Sequence, residues 1–249
     1  MIYAMSEKLM TVFGKITKDL LDLVYPPQCL ACKAPLDHTK EAYLCKRCVG
    51  DIKTNPKPWC VKCGRAVGGV GALCHECRKT RYHFERAYSA CLYEGPLKEC
   101  VHQFKYRGRS QLSRLLSGFI IDFIKDNAEI LEGVNAVTAV PLSAKRLKER
   151  EYNQSRLLAA EISETFALPL LDALIKTRST PPQSEMRRES RLTNIKDAFG
   201  MREGVNLNGR NVLLVDDVLT TGSTLNECAR VLAEAGAKKV IALTLARGT

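Results

Sequence analysis

Four C-x-x-C pairs crowd the first third of the chain: Cys29/Cys32, Cys45/Cys48, Cys60/Cys63 and Cys74/Cys77. The stretch that holds them, residues 28–80, is rich in Gly, Pro and Lys and lacks apolar periodicity; GRAVGGVGALC is nearly all turn. Such a segment buries too little apolar surface to offset the entropy of ordering its backbone. It folds only if something cross-links it. The first two pairs lie twelve residues apart and the last two ten apart, spacings that suit tetrahedral zinc sites made of four cysteines. Sequential pairing is the tidiest, with Cys29, Cys32, Cys45 and Cys48 on one ion and Cys60, Cys63, Cys74 and Cys77 on the other. An interleaved cross-brace is the alternative. Four sulfur ligands leave no open coordination position, so the metal is expected to be structural, in preference to thioredoxin-like redox work. His38 and His75 could replace a thiolate but read as surface residues. The remaining three of the eleven cysteines, Cys91, Cys100 and Cys228, stand singly in apolar patterns and read as small buried hydrophobes.

A chain of 249 residues suffices for one sizeable core plus a small satellite domain. Its formal net charge of +11 favours phosphates, nucleotides or nucleic acid, although a basic protein without a polyanion partner fits the same number. The N-terminus lacks a long apolar run and a small-residue cleavage site, and the stretch around LLSGFII is too short to span a bilayer. A cytoplasmic setting without membrane insertion is therefore expected. Residues 5–24 carry Leu9, Val12, Phe13, Ile16, Leu20, Leu23 and Val24 at helical spacing, up to Pro26-Pro27. This amphipathic helix is expected to pack on a protein core. The organisation expected is thus residues 1–27 as an N-terminal helix, 28–80 as a cysteine-rich domain and 81–249 as the main domain.

From about residue 86 the pattern changes. RAYSACLYE reads as a strand, PLKECVHQFKYR and QLSRLLSGFIIDFIKDN as helices, and AVTAVPL as a buried strand. NQSRLLAAEISETFA is an amphipathic helix starting after Asn153, and LPLLDALIKTR reads as another strand. NVLLVDD, STLNECARVLAEAG and KKVIALTLAR complete the chain as strand, helix and strand. Strands alternating with helices predict an α/β fold, a parallel sheet wrapped by helices.

The most informative stretch is VLLVDDVLTTGST, Val212–Thr224. Its apolar run suits a buried parallel strand, and ligands of open α/β sheets bind beyond the carboxyl ends of strands. Asp216 and Asp217 stand at such an end. Thr220, Thr221, Gly222, Ser223 and Thr224 then lead into a helix whose N-terminus offers unpaired N–H groups and a positive dipole end. That is an anion cradle. The two acids repel phosphate but suit hydroxyl groups or a metal ion. The implied ligand joins a phosphate to a vicinal diol, as ribose 5-phosphate does. The competing reading is a plain strand-to-helix cap.

The stretch resembles the thirteen-residue binding motif of type I phosphoribosyltransferases. In that family the acids hold the ribose hydroxyls and the loop holds the 5-phosphate of phosphoribosyl pyrophosphate. The ordered set of paired cysteines, HQFKYRG, VPLSAKRLKEREYNQS, PPQSEMRRESRLTNIKDAF and VDDVLTTGST resembles the ComF/GntX family of competence-associated proteins over nearly the full length. The resemblance implies a type I phosphoribosyltransferase-like sheet and an N-terminal double zinc ribbon. It further implies pyrophosphate binding near Lys145, Arg146 and Arg150, where cations should matter most; the competing reading of that stretch is a solvated basic turn. Asn153, Gln154 and Ser155 would cap the next helix and could point polar groups inward. There is one departure: Glu151 stands where the family usually has glycine, a costly exchange if the position needs a positive φ or close approach to phosphate. Arg187, Arg188 and Arg191 lie in a Pro-led polar stretch long enough to act as a lid, or as a plain exposed loop. Lys105 and Arg107 could reach the same anion or a neighbouring subunit.

Two functions follow. One is an enzyme in which a nucleophile displaces pyrophosphate from ribose C1, with Asp216 and Asp217 favouring the cationic transition state and Mg²⁺ aiding departure. The other is a non-catalytic adaptor with the same pocket, binding single-stranded DNA or a DNA-uptake helicase. Trp59 with Lys53, Lys57, Lys62 and Arg65 nearby could stack on nucleic acid, although Trp59 reads better as the apolar anchor of a tiny domain. The acceptor and any homo-oligomer are left open.

Overall fold

The computed structural model describes residues 27–36, 43–178 and 195–248. The amphipathic helix expected over residues 5–24, His38, and the arginines Arg187, Arg188 and Arg191 lie outside the described residues.

Four parallel strands form the main sheet: β1 (Arg86–Leu92), β2 (Ala136–Ala139), β5 (Asn211–Leu219) and β6 (Lys239–Arg247), in the order β1-β6-β5-β2. Its strands are near-continuous apolar runs, as a sheet covered on both faces requires. The helices are α1 (Lys46–Gly50), α2 (His75–Lys79), α3 (Gly95–Tyr106), α4 (Leu112–Lys125), α5 (Ala144–Arg150), α6 (Gln154–Thr165) and α7 (Ser223–Glu234). Strand period splits β5 between two cores. Leu213 and Val215 join Phe104, Leu116, Ile120, Leu158 and Ile162 from α3, α4 and α6. Val212 and Leu214 join Leu225, Cys228, Ala229 and Leu232 of α7. Cys91, Cys100 and Cys228 are buried, as their apolar settings predict.

Three details depart from the sequence pattern. LPLLDALIKTR yields only a short strand, β3 (Leu174–Lys176), which pairs antiparallel with β4 (Phe199–Met201) in a separate two-stranded sheet. The basic stretch after β2 is helical: α5 turns on a Ser143 cap whose hydroxyl accepts from the Arg146 N–H at 3.4 Å. Finally, β5 does not stop at its acids but runs on to Leu219, pairing Asp216 with Thr244 of β6. The neighbouring β2 ends at Ala139, opposite Val215, so the sheet steps down beside the acids and leaves a crevice.

The cysteine-rich region docks on this sheet. Trp59 is buried against Tyr88 of β1 and Phe123 of α4, with ring centroids 6.3 and 5.3 Å away, and its indole N–H donates to the Asn55 carbonyl at 3.1 Å. It anchors the small domain to the large one.

Candidate phosphoribosyl site and metal centres

Cysteine chemistry gathers two clusters, Cys29/Cys32/Cys45/Cys48 and Cys60/Cys63/Cys74/Cys77, each with its sulfurs within 4.8 Å of one another. The pairing is sequential, with no cross-brace. Cys32 and Cys45 sulfurs are 3.7 Å apart, as are those of Cys63 and Cys74. A Zn–S bond of about 2.3 Å gives a tetrahedral edge of roughly 3.8 Å, so the spacing fits zinc. Backbone N–H groups of Cys45 and Cys74 point at the sulfurs of Cys29 and Cys60 at 3.4 and 3.3 Å, the bonds that orient thiolate ligands. The two clusters fit structural zinc.

At the stepped edge of the sheet lies a cleft of about 280 Å³. Asp216, Asp217, Thr220, Gly222, Ser223 and Thr224 line it, together with Arg146 and Arg150. Lys145 and Thr221 do not. In a helix, residues four apart share a face while the next residue is turned about 100° away. Arg146 and Arg150 therefore look into the cleft together, and Lys145 is exposed. Arg150 is held in place: its guanidinium donates to Gln154 Oε1 at 3.0 Å and sits 4.9 Å from the Tyr106 ring centroid.

Adjacent strand residues face opposite ways, and the two acids have different partners. Asp217 is ion-paired with Lys105 from the last turn of α3, Nζ to Oδ1 at 2.7 Å. Burial disfavours the Lys105 ammonium, but Asp217 outweighs it and raises the lysine's pKa. Asp216 accepts from the Ser155 hydroxyl at 2.7 Å and from the Asp217 N–H at 2.9 Å. Burial, reinforced by the Asp217 charge, pushes Asp216 up to about 7. The carboxylates are hard oxygen donors of the kind Mg²⁺ accepts beside a phosphate ligand.

Gly222 precedes α7 at φ 80 and supplies no side-chain cap. A Cβ there would meet only ordinary contacts, the nearest 3.4 Å away. Glycine is needed for the left-handed conformation, which turns the helix N-terminus to the cleft. Thr221 and Ser223 hydroxyls bond each other at 2.8 Å. On α6, Asn153 caps through its side chain, accepting from the Arg156 N–H at 3.3 Å, and Gln154 and Ser155 are buried.

Glu151 answers the question its position raises. It ends α5 at φ 68, in the left-handed region that glycine takes freely. It does not line the cleft. The departure from glycine strains the backbone without intruding on the pocket.

Sequence reasoning overlooked Lys176 of β3, which also lines the cleft. Burial, with Arg146 beside it, pulls Lys176 down to about 8, and its ammonium lies 5.2 Å from the Phe199 ring centroid. A single cation closing the apolar run LLDALIK was the available signal. Ser155 read as a capping residue able to point a polar group inward; that its partner is Asp216 depends on where α6 lands.

Residues 153–249 match the family model for a phosphoribosyl transferase domain, and residues 20–78 match that for a double zinc ribbon domain. Competence protein F of Haemophilus influenzae is 30% identical over 224 residues, covering 88% of this chain and 96% of that protein. DNA utilization protein YhgH of Escherichia coli is 30% identical over 230 residues, 90% of this chain and 99% of that one. Competence protein ComFC of Bacillus subtilis is 29% identical over 212 residues, 82% and 84% of the respective chains. With the parallel sheet, both cysteine clusters and relatives matched along most of its length, the chain belongs to the ComF/GntX family, a phosphoribosyltransferase-type domain joined to a double zinc ribbon.

Proposed function

We propose that the cleft binds phosphoribosyl pyrophosphate with Mg²⁺. The observation that carries this reading is the lining itself: the Asp216/Asp217 pair and the Gly222-led start of α7 share one cleft of about 280 Å³. A diol fits the acids, and a phosphate fits the helix N-terminus. Arg146, Arg150 and Lys176 add positive charge to the same lining, which suits a pyrophosphate.

As a transferase, the site would let an acceptor displace pyrophosphate from ribose C1. Asp216 and Asp217 would hold the ribose and stabilise positive charge as the C–O bond lengthens. Arg146 and Arg150 would steady the departing anion. Mg²⁺, when bound, supplies charge neutralisation on the pyrophosphate oxygens. The competence and DNA utilization names of the relatives support a cytoplasmic role in handling incoming DNA.

A second reading keeps the pocket but assigns the protein an adaptor role toward single-stranded DNA or a helicase. The observation in its favour is that the second zinc knuckle exposes three apolar side chains, Val61, Val70 and Leu73.

Calorimetry of the zinc-loaded chain with phosphoribosyl pyrophosphate and Mg²⁺ tests the pocket. Binding that Asp216→Ala or Asp217→Ala abolishes supports it; no heat of binding refutes it. Pyrophosphate release with a panel of bases separates enzyme from adaptor. Salt-dependent binding of single-stranded DNA, weakened by Arg187→Ala with Arg188→Ala, supports the adaptor.

A further inference from the structure

The two cysteine clusters meet the main domain differently. The first borders the start of α3, near Pro96 and Glu99, and leaves Cys32 exposed. The second is buried and is bonded to the end of β6, whose next residue bonds the last residue of β5. Gly64 of this knuckle, at φ 69, approaches β1 so closely that a Cβ would fall 2.5 Å from the Ala87 carbonyl oxygen. The Ala87 N–H donates to the Lys62 carbonyl at 2.8 Å. Buried Arg247, at the end of β6, donates to the Cys63 carbonyl at 2.6 Å, and the next residue's N–H donates to the Leu219 carbonyl at 2.9 Å.

Tyr82 completes the connection. Its side chain packs against the second cysteine cluster, and its ring stacks on Phe84 with centroids 4.7 Å apart. The same ring lies beside Gly222, and its hydroxyl donates to the Thr221 carbonyl at 3.3 Å. A trans peptide is planar, so its C=O and the following N–H point in opposite directions. Holding the Thr221 carbonyl on the knuckle side turns the Gly222 N–H away from the knuckle. Gly222 lines the cleft and Thr221 does not.

We propose that Tyr82 is a positioning residue that couples the Cys60/Cys63/Cys74/Cys77 metal site to the phosphate loop Thr220–Thr224. An ion drawing four thiolates together fixes the wall on which the Tyr82 ring rests, and the ring fixes the peptide that presents the Gly222 N–H. Coupling of this kind is reciprocal: an anion that orders the loop must also tighten the metal site. The anion's identity rests on the function proposed above; the link between knuckle and loop does not.

The test uses the zinc-loaded full chain and two variants, Tyr82→Leu and Tyr82→Phe. Hydrogen exchange of the 219–225 segment reads the loop. Alkylation under a fixed chelator challenge, mapped by peptide mass, reads each cysteine set separately. In Tyr82→Leu, both loop exchange and alkylation of the Cys60 set should rise about fivefold, near the effect of losing one hydrogen bond. The Cys29 set and α4 amides should not change. Tyr82→Phe keeps the ring, so it folds even if the leucine variant does not; loop exchange should still rise by roughly two- to fivefold. Phosphoribosyl pyrophosphate with Mg²⁺ should slow alkylation of the Cys60 set in the wild type and have a weaker effect in Tyr82→Phe. Faster loop exchange without a change at the Cys60 set in Tyr82→Leu, equal change at both cysteine sets, or a Tyr82→Phe loop indistinguishable from wild type overturns the proposal. If calorimetry detects no ligand binding, the assigned ligand fails while exchange and alkylation still decide the coupling.

Discussion

Lys105 Nζ and Asp217 Oδ1 lie 2.7 Å apart with side chains only 17% and 10% exposed, so one of the two cleft acids meets any ligand already paired. The pair explains how two adjacent acids tolerate one site. Asp217 is matched by the Lys105 ammonium, while Asp216, crowded by burial and by Asp217, is pushed up to about 7. A ligand that reaches for Asp217 has to share or replace the ammonium.

Removing Lys105 leaves a charge buried without its partner. Lys105→Met should destabilise the chain by about 3 kcal/mol, the cost typical of a broken buried pair. Adding Asp217→Asn should restore most of that loss. Urea unfolding of both variants is the measurement, and a double variant as unstable as the single one contradicts the argument.

Asp216 makes stability depend on pH with a definite sign. It binds a proton more readily folded than unfolded, where a carboxyl titrates near about 4. Its contribution is therefore largest at low pH, falls as pH rises from about 4 toward 7, and is flat above that. Asp216→Asn should flatten this slope. Ligand affinity should run the other way, rising toward pH 7 as the carboxylate forms to accept ribose hydroxyls.

Lys176 sets the alkaline side. With its pKa drawn down to about 8 by burial and Arg146, it loses its charge above that pH. Anion affinity should then decline, and Lys176→Met should bind more weakly at pH 7 but lose the decline. Calorimetry between about pH 6 and 9 reads both limbs.

Two substitutions test one conformational argument in opposite directions. Glu151 sits at φ 68 and Gly222 at φ 80. Glu151→Gly should relieve left-handed strain and gain up to about 1 kcal/mol, partly offset by the looser unfolded chain. Gly222→Ala should cost about 1 kcal/mol and weaken phosphate binding. Thermal unfolding decides.

Trp59 is the chain's single tryptophan, so its emission reports the docking of the knuckles. Stripping zinc should unravel the cysteine-rich region, expose Trp59 and shift its fluorescence to the red. Most of the helical and sheet circular dichroism should persist, since the main core is built largely from α3, α4, α6, α7 and the sheet. Emission unchanged by chelation contradicts a structural metal.

Features that are local and periodic were legible in the residues alone. Thiolate spacing announced two four-cysteine clusters but allowed sequential or interleaved pairing, and the folded chain chose the sequential one. Apolar runs and helical periods marked the four sheet strands and the longer helices, because each must bury a face or stripe. The order strand, acids, Gly-centred turn and helix start lies within thirteen residues, so much of the cleft lining was legible before the fold. Features that join residues far apart in the chain emerged from packing. Asp217 is paired because Lys105, 112 positions earlier, lies within 2.7 Å of it. Asp216 is raised because packing removes water from around it, more than the Ser155 hydroxyl seated on it can offset. Arg146 lines the cleft and Lys145 does not because that stretch winds into a helix with a definite rotation against the sheet. Spacing cannot foretell such things: burial and a Coulomb pair are set by distance in space, and the sheet's strand order is what brings those distances within reach.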